Sequence, residues 1–199
     1  MVGYYDKGKH VESLCSIHPR EILIAYGPKK LLVDKYHWHS PKIGVVASYT
    51  PTDFDVEDHF GIFRGVDQIE SFVQATTASL SMFLICQKNS CAPIDLREKS
   101  VPSFISVGNV NFMSALEKGD TYIMLGKITF YKFKQMVCDG RIYRCPTGLN
   151  LDEYLKDFNE ERLLKYDLSP DFKLISDFYD ITGREIDIEY FRAKTKSKI

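Results

Sequence analysis

GVDQIESFVQATTASLSMFLICQ, residues 65–87, is the stretch on which the reading of this chain turns. Within it Val66, Ile69, Phe72, Val73, Leu80, Phe83 and Leu84 recur at offsets of three, four and seven, with one gap at Thr76–Thr77. That spacing predicts a helix over Val66–Gln87 with a wide apolar face. Neither proline nor glycine interrupts the run. Asp67, Glu70, Gln74, Thr77 and Ser81 form a polar stripe of the same period beside the apolar one. The stripe reads either as a solvated edge or as a set of working groups. The small residues Ala75–Ser79 would admit a second backbone at close range, which predicts a central helix wrapped by other elements.

Asp58-His59-Phe60 lies just upstream, joined to the helix by the short link Gly61–Gly65. His59 is the only histidine beside this segment, and Glu70 is a carboxylate inside it, costly there unless it has a task. The two are read as an acid/base pair. Burial would push the Glu70 carboxyl up toward the range useful for a general acid. Gly65 allows a tight turn and leaves backbone N–H groups open at a helix N-terminus, where they favour negative charge developing on a ligand oxygen.

The chain has 199 residues, of which 44% are hydrophobic, enough for one good core. A net charge of -1 argues against nucleic-acid binding driven by overall charge. The five cysteines are odd in number and lack CxxC spacing, so they read as reduced thiols of a cytoplasmic protein. The opening residues do not read as a signal peptide. Ser71, Gln74 and Ser81 interrupt the best candidate for a membrane span.

Along the chain, residues 1–20 read as a polar N-terminal arm, residues 21–147 as the main domain and residues 148–199 as a C-terminal extension. Lys30–Tyr36 and Ile43–Tyr49 read as strands. His37-Trp38-His39 could suggest a metal site, but no further ligand stands at suitable spacing, so no metal is expected. Ser103–Phe112 and Thr121–Val137 read as strands, and Asp139-Gly140 as a hairpin turn leading to Arg141–Cys145. These links favour an antiparallel sheet, giving an α+β class with the sheet around the helix. Asn150 with Glu153 resembles a capping box opening a short helix. Phe172–Tyr190 suggests a terminal hairpin with Thr182-Gly183 at its middle, and Ala193–Ile199 is a basic tail.

Four pieces together resemble the β-hydroxyacyl-(acyl-carrier-protein) dehydratases of the hotdog fold. They are Leu31-Leu32-Val33-Asp34-Lys35, His59-Phe60, Gly65-Val66 followed by Glu70 and Gln74, and Asn109-Val110-Asn111-Phe112 with Gly119-Asp120 after it. The resemblance spans about residues 20–145. It implies a sheet wrapped around the Val66–Gln87 helix, and a homodimer with active sites at its interface. It implies that His59 takes the proton beside the thioester, that Glu70 protonates the departing hydroxyl and that the Gly65 N–H holds the thioester oxygen. Phe60, Val66, Asp67 and Gln74 would line the substrate, and the acyl chain would occupy a tunnel along the helix. The partner implied is a thioester of acyl carrier protein or coenzyme A; no metal or organic cofactor is implied. The sequence departs from the family in a shorter His59–Gly65 link, in Gly61 and Arg64 where the family has proline, and in Asp67 where it has an apolar residue. A thioesterase using Glu70 alone and a non-catalytic hotdog subunit remain open beside the dehydratase.

Overall fold

The computed structural model describes residues 3–97 and 99–189. Strands β1 (Tyr4–Asp6) and β2 (Lys9–Val11) form a hairpin, followed by the short helix α1 (Pro19–Ile22). Strands β3 (Lys35–Ser40) and β4 (Gly44–Tyr49) lead to α2 (Asp53–Val56), β5 (Ile62–Phe63) and the long helix α3 (Gly65–Asn89). After it come β6 (Ser100–Ser106), β7 (Asn109–Phe112), β8 (Leu116–Glu117), β9 (Tyr122–Lys132) and β10 (Gln135–Arg144). Two small helices, α4 (Leu151–Tyr154) and α5 (Glu160–Lys165), precede the final strand β11 (Lys173–Asp187).

One antiparallel sheet in the order β3-β4-β9-β10-β11-β6, with β7 also on β11, curls around α3. Every residue of α3 from Ser71 to Cys86 is buried. The polar stripe is therefore no solvated edge beyond its first turns: Gln74, Thr77 and Ser81 are inside. The gap at Thr76–Thr77 coincides with a π-helical turn, Gln74–Ala78. Here Thr76 Oγ1 donates to Phe72 O at 2.6 Å and Ser79 Oγ to Gln74 O at 2.6 Å. The wider turn rotates the helix against its own period.

The small-residue run meets backbone, as its composition predicts. A Cβ at Gly126 would lie 2.1 Å from Thr76 Cγ2, one at Gly140 2.4 Å from the Phe72 ring, and one at Gly183 2.6 Å from Thr77 Cβ. Three neighbouring strands thus give up side chains where the helix presses on them. Phe72 completes the contact by stacking on Phe178 of β11, ring centroids 4.3 Å apart. Gly65–Asn89 also has the length and apolar composition of a membrane span despite Ser71, Gln74 and Ser81, but 83% of its most apolar stretch is buried within the fold.

Several expectations need correcting. Residues 31–34 are not strand: the backbone of Leu32 meets helix side chains, with Leu32 N donating to Gln74 Oε1 (2.8 Å) and Leu32 O accepting from Ser71 Oγ (2.7 Å), and only Asp34 N reaches β4, at Ser48 O (2.8 Å). Asp139-Gly140 is no hairpin turn but an irregularity inside β10, where Gly140 makes room for Phe72 and Asp139 Oδ1 accepts from Asp180 N. The chain reverses instead at Phe133-Lys134, between β9 and β10. Ser103–Phe112 is broken into β6 and β7 around Val107-Gly108. Thr182-Gly183 does not end a strand either, because Gly183 serves the helix contact within one continuous β11.

The C-terminal part is not an extension outside the sheet. Strand β11 lies between β10 and β6, so the segment between β10 and β11 is an insert between two neighbouring strands. That insert covers the outer face of the sheet, where Leu155, Phe158, Leu163 and Phe172 pack on Val46, Ile123, Leu125 and Tyr143. The N-terminal arm likewise reaches the main core through Tyr4, Val11 and Leu14. The basic tail, Ala193–Ile199, lies outside the described residues.

Candidate active site

Glu70 stands on the second turn of α3, half-buried. Its carboxylate accepts from Gln74 Nε2 at 3.0 Å, one helical turn on, and lies beside the Tyr26 hydroxyl. The latter group is pushed well above the ordinary phenol range by burial and by the neighbouring carboxylate. Gln74 is fully enclosed and uses both ends of its amide: besides Glu70 it bonds Lys30 O (2.7 Å) and Leu32 N (2.8 Å). One buried amide thus ties Glu70 to the 28–32 segment and fixes the carboxylate in place. Tyr26 and Lys30 gave no such signal in the sequence, because they reach the helix only through tertiary folding.

His59 comes from the turn after α2. His59 N donates to Val56 O (3.0 Å) and Ile62 N to His59 O (2.9 Å), with Phe60 and Gly61 both at positive φ. Through this tight reversal the short link from His59 to Gly65 enters α3. His59 and Glu70 line one cleft of about 420 Å³. Tyr26, Lys29, Lys30 and Leu32 form part of its wall, Phe54, Asp55, Glu57 and Asp58 another, and Arg64 and Asp67 contribute from the start of α3. Lys29 Nζ lies 5.5 Å from the centre of the Phe54 ring.

Two departures from the family pattern compensate each other. Arg64 Nε and Nη2 hold Asp67 in a forked pair at 2.6 and 2.9 Å. Asp67 thereby gains a partner of opposite charge beside the helix N-terminus, a favourable place for a carboxylate.

Not every expected residue faces the cleft. Phe60 is 98% exposed and Val66 62% exposed, and neither lines it. Gly65 lies against Phe112, whose ring would come within 2.9 Å of an added Cβ. The expected tunnel along the helix is closed in the single chain. The crevice beyond Tyr26, between Val73, Thr77, Ala78 and Ser81 on α3 and Ser103, Gly183 and Arg184 on the sheet, has no room for a water molecule. Tyr26 borders both spaces and stands where the cleft would open into that crevice.

His37 and His39 are engaged separately. His37 bonds Ser48 Oγ (2.9 Å) and Asp152 (3.2 Å), whereas His39 Nδ1 accepts from Leu14 N (3.2 Å) and its ring packs edge-on to Phe83. Among the described residues no group of three His, Cys, Asp or Glu side chains is placed to hold a metal.

No protein-family model matches the chain, and no curated protein sequence matches it significantly. In structure it is similar to a chain of the dehydratase heterocomplex ApeI:P from Xenorhabdus doucetiae, with TM-score 0.62 and 11% identity over 90% of this chain and 97% of that one. Weaker likenesses, at TM-scores of 0.46 and 0.45, link it to the putative thioesterase yhdA from Lactococcus lactis (14% identity, 79% of this chain and 94% of that one) and to the 1,4-dihydroxy-2-naphthoyl-CoA thioesterase Slr0204 from Synechocystis (10%, 72% and 82%). At such identities the likeness is one of fold, and the fold is the hotdog: an antiparallel sheet wrapped around one long helix.

Proposed function

We propose that this hotdog chain is a dehydratase of 3-hydroxyacyl thioesters carried by an acyl carrier protein or coenzyme A. The observation that carries the reading is the shared cleft of His59 and Glu70, with Glu70 held by Gln74 and Tyr26 beside it in the wall. His59 takes a proton from the carbon beside the thioester. Glu70 gives a proton to the hydroxyl on the next carbon. The C–O bond breaks, water leaves and the trans-2-enoyl thioester forms. A proton then passes from His59 back to Glu70 through solvent, restoring both groups. Each transfer is worth ~10²–10⁴-fold. The positive end of α3, where Arg64 and Asp67 line the cleft, favours the charge that develops on the thioester oxygen. The name of the heterocomplex with the same fold agrees with this chemistry.

The reading includes pairing with a second subunit. Phe60, Ile62, Val66, Phe112 and Met113 are exposed around the N-terminus of α3, beside the short strand β7. Covering such a patch would enclose His59, which is exposed in the single chain. The same patch favours a second reading, a subunit that completes its site only with a different partner chain. The five free thiols suit a reducing compartment such as the cytoplasm.

The test is incubation with a 3-hydroxybutyryl thioester, following enoyl product and free thiol separately. Enoyl product supports the dehydratase. Free thiol without enoyl product overturns it in favour of thioester hydrolysis. No turnover by a folded homodimer overturns it in favour of the partner-dependent subunit.

A further inference from the structure

The reversal between β9 and β10 is a two-residue turn, Phe133-Lys134, closing on the pair Lys132↔Gln135. Both turn residues have positive φ, 54° and 62°. Turns of this hand normally recruit Asn-Gly or Gly-Gly, because a side chain at positive φ crowds its own backbone. A phenylalanine and a lysine hold these places, and the phenylalanine is 79% exposed. Backbone strain and an exposed aromatic ring are both unfavourable to folding; the Lys134–Glu185 pair offsets part of the first, while the Phe133 ring stays largely uncovered. Strain of this kind points to a task for the residues that bear it.

The surroundings indicate the task. Phe130 is 45% and Tyr131 41% exposed, and alternation along β9 places them on opposite faces of the hairpin. Lys132 Nζ lies 4.9 Å from the centre of the Phe133 ring. Lys134 pairs at 3.5 Å with Glu185, a carboxylate only 9% exposed, while the lysine itself stays largely in solvent. The tip thus carries rings at its apex and on both faces, with two ammonium groups among them. The end of β11 runs alongside: Glu185 N donates to Lys134 O and Ile188 N to Lys99 O.

We propose that the Phe130–Lys134 hairpin tip docks on the surface of an anionic lipid bilayer. Aromatic rings settle at the level of the headgroups, and lysines beside them are drawn to a negative leaflet. Exposed rings on both faces of one tip suit a yielding medium better than the flat face of a protein. The Ser81–Met136 contact places the hairpin beside the second half of α3, whereas Glu70 is near its start. Docking therefore leaves the cleft free. The inference is independent of the reaction assigned to that cleft.

The experiment is flotation of the full chain with vesicles of phosphatidylcholine alone and with phosphatidylglycerol added. Wild type should float with the anionic vesicles only, and high salt should weaken the binding. The variant Phe133→Asn supplies a residue the turn favours and keeps the Lys134–Glu185 pair, so its Tm should hold or rise. Its vesicle binding should fall about tenfold or more with the apical ring removed. A separate Phe133→Trp variant should show a blue-shifted emission on anionic vesicles. Equal flotation with neutral vesicles, no flotation, or undiminished binding by the turn variant would each overturn the proposal. So would a turn variant that loses self-association, or loses binding to an acidic protein, when wild type binds no lipid.

Discussion

The two halves of the polar stripe on α3 began with one periodicity and ended with opposite fates. Asp67 and Glu70 face a cleft and meet Arg64, Tyr26 and Gln74. Thr77 and Ser81, on the same stripe, are buried and bond inward, Thr77 Oγ1 to Val73 O and Ser81 Oγ to the Met136 sulfur. The π-turn lies between the two halves. On its N-terminal side the helix carries groups that a ligand could use. On its C-terminal side the same residue types allow close approach of helix and sheet. Spacing along a helix thus assigns a side chain to a face, but the element opposite decides what that face does.

The sharpest way to break this division is to disturb the packed half. Phe72→Ala removes the ring stacked on Phe178 and set over Gly126 and Gly140, and should cost ~3–5 kcal/mol in denaturant unfolding. A cost near 1 kcal/mol would mean the contact is loose. Gln74 sits at the junction of the two halves. Gln74→Ala strands the buried Leu32 N–H and frees the Glu70 carboxylate, so it should lower stability by about 1–3 kcal/mol and also lower turnover. Stability lost with turnover unchanged would separate the 28–32 anchor from the site.

His39 supplies a pH test that involves only the packed region. Burial holds its pKa down at about 4, and its Nδ1 accepts the Leu14 N–H, so the folded chain favours the neutral ring. With the folded value below the unfolded 6.5, the unfolded chain binds more protons between them. His39's contribution is therefore intact above about pH 6.5 and is lost as pH falls toward 4, by roughly 3 kcal/mol in all. Thermal melts of wild type and His39→Gln should converge over that window as pH falls. Parallel pH curves would contradict the assignment. A smaller effect belongs to Tyr26: Tyr26→Phe removes the hydroxyl beside Glu70 but keeps the ring at the mouth of the closed crevice. It should lower kcat several-fold with KM little changed. A shift in KM alone would make Tyr26 a wall and not a positioning group.

What the sequence made legible follows from the range of the forces involved. The central helix could be read because period and small-residue content are local, and even the π-turn left a trace as the gap at Thr76–Thr77. His59 and Glu70 could be chosen because few other residues near the helix carry their chemistry. Glycines misled where they stand in strands: Gly140 and Gly183 look like turn residues, yet both make room for α3. The actual turn, Phe133-Lys134, lacks the residues that announce one. Leu31-Leu32-Val33 looks like strand, but its hydrogen bonds run to Gln74 and Ser71, partners some forty positions away that no local pattern reveals. The central place of β11 was hidden for the same reason, since the intervening helices make the last strand look detached.

The most direct measurement of the central claim is hydration of a crotonyl thioester by wild type, Glu70→Gln and His59→Ala, with folding checked by melts. The account predicts turnover by wild type and losses of ~10²–10⁴-fold in each variant, at stabilities close to wild type. Turnover that survives in either folded variant would contradict a paired mechanism in this cleft.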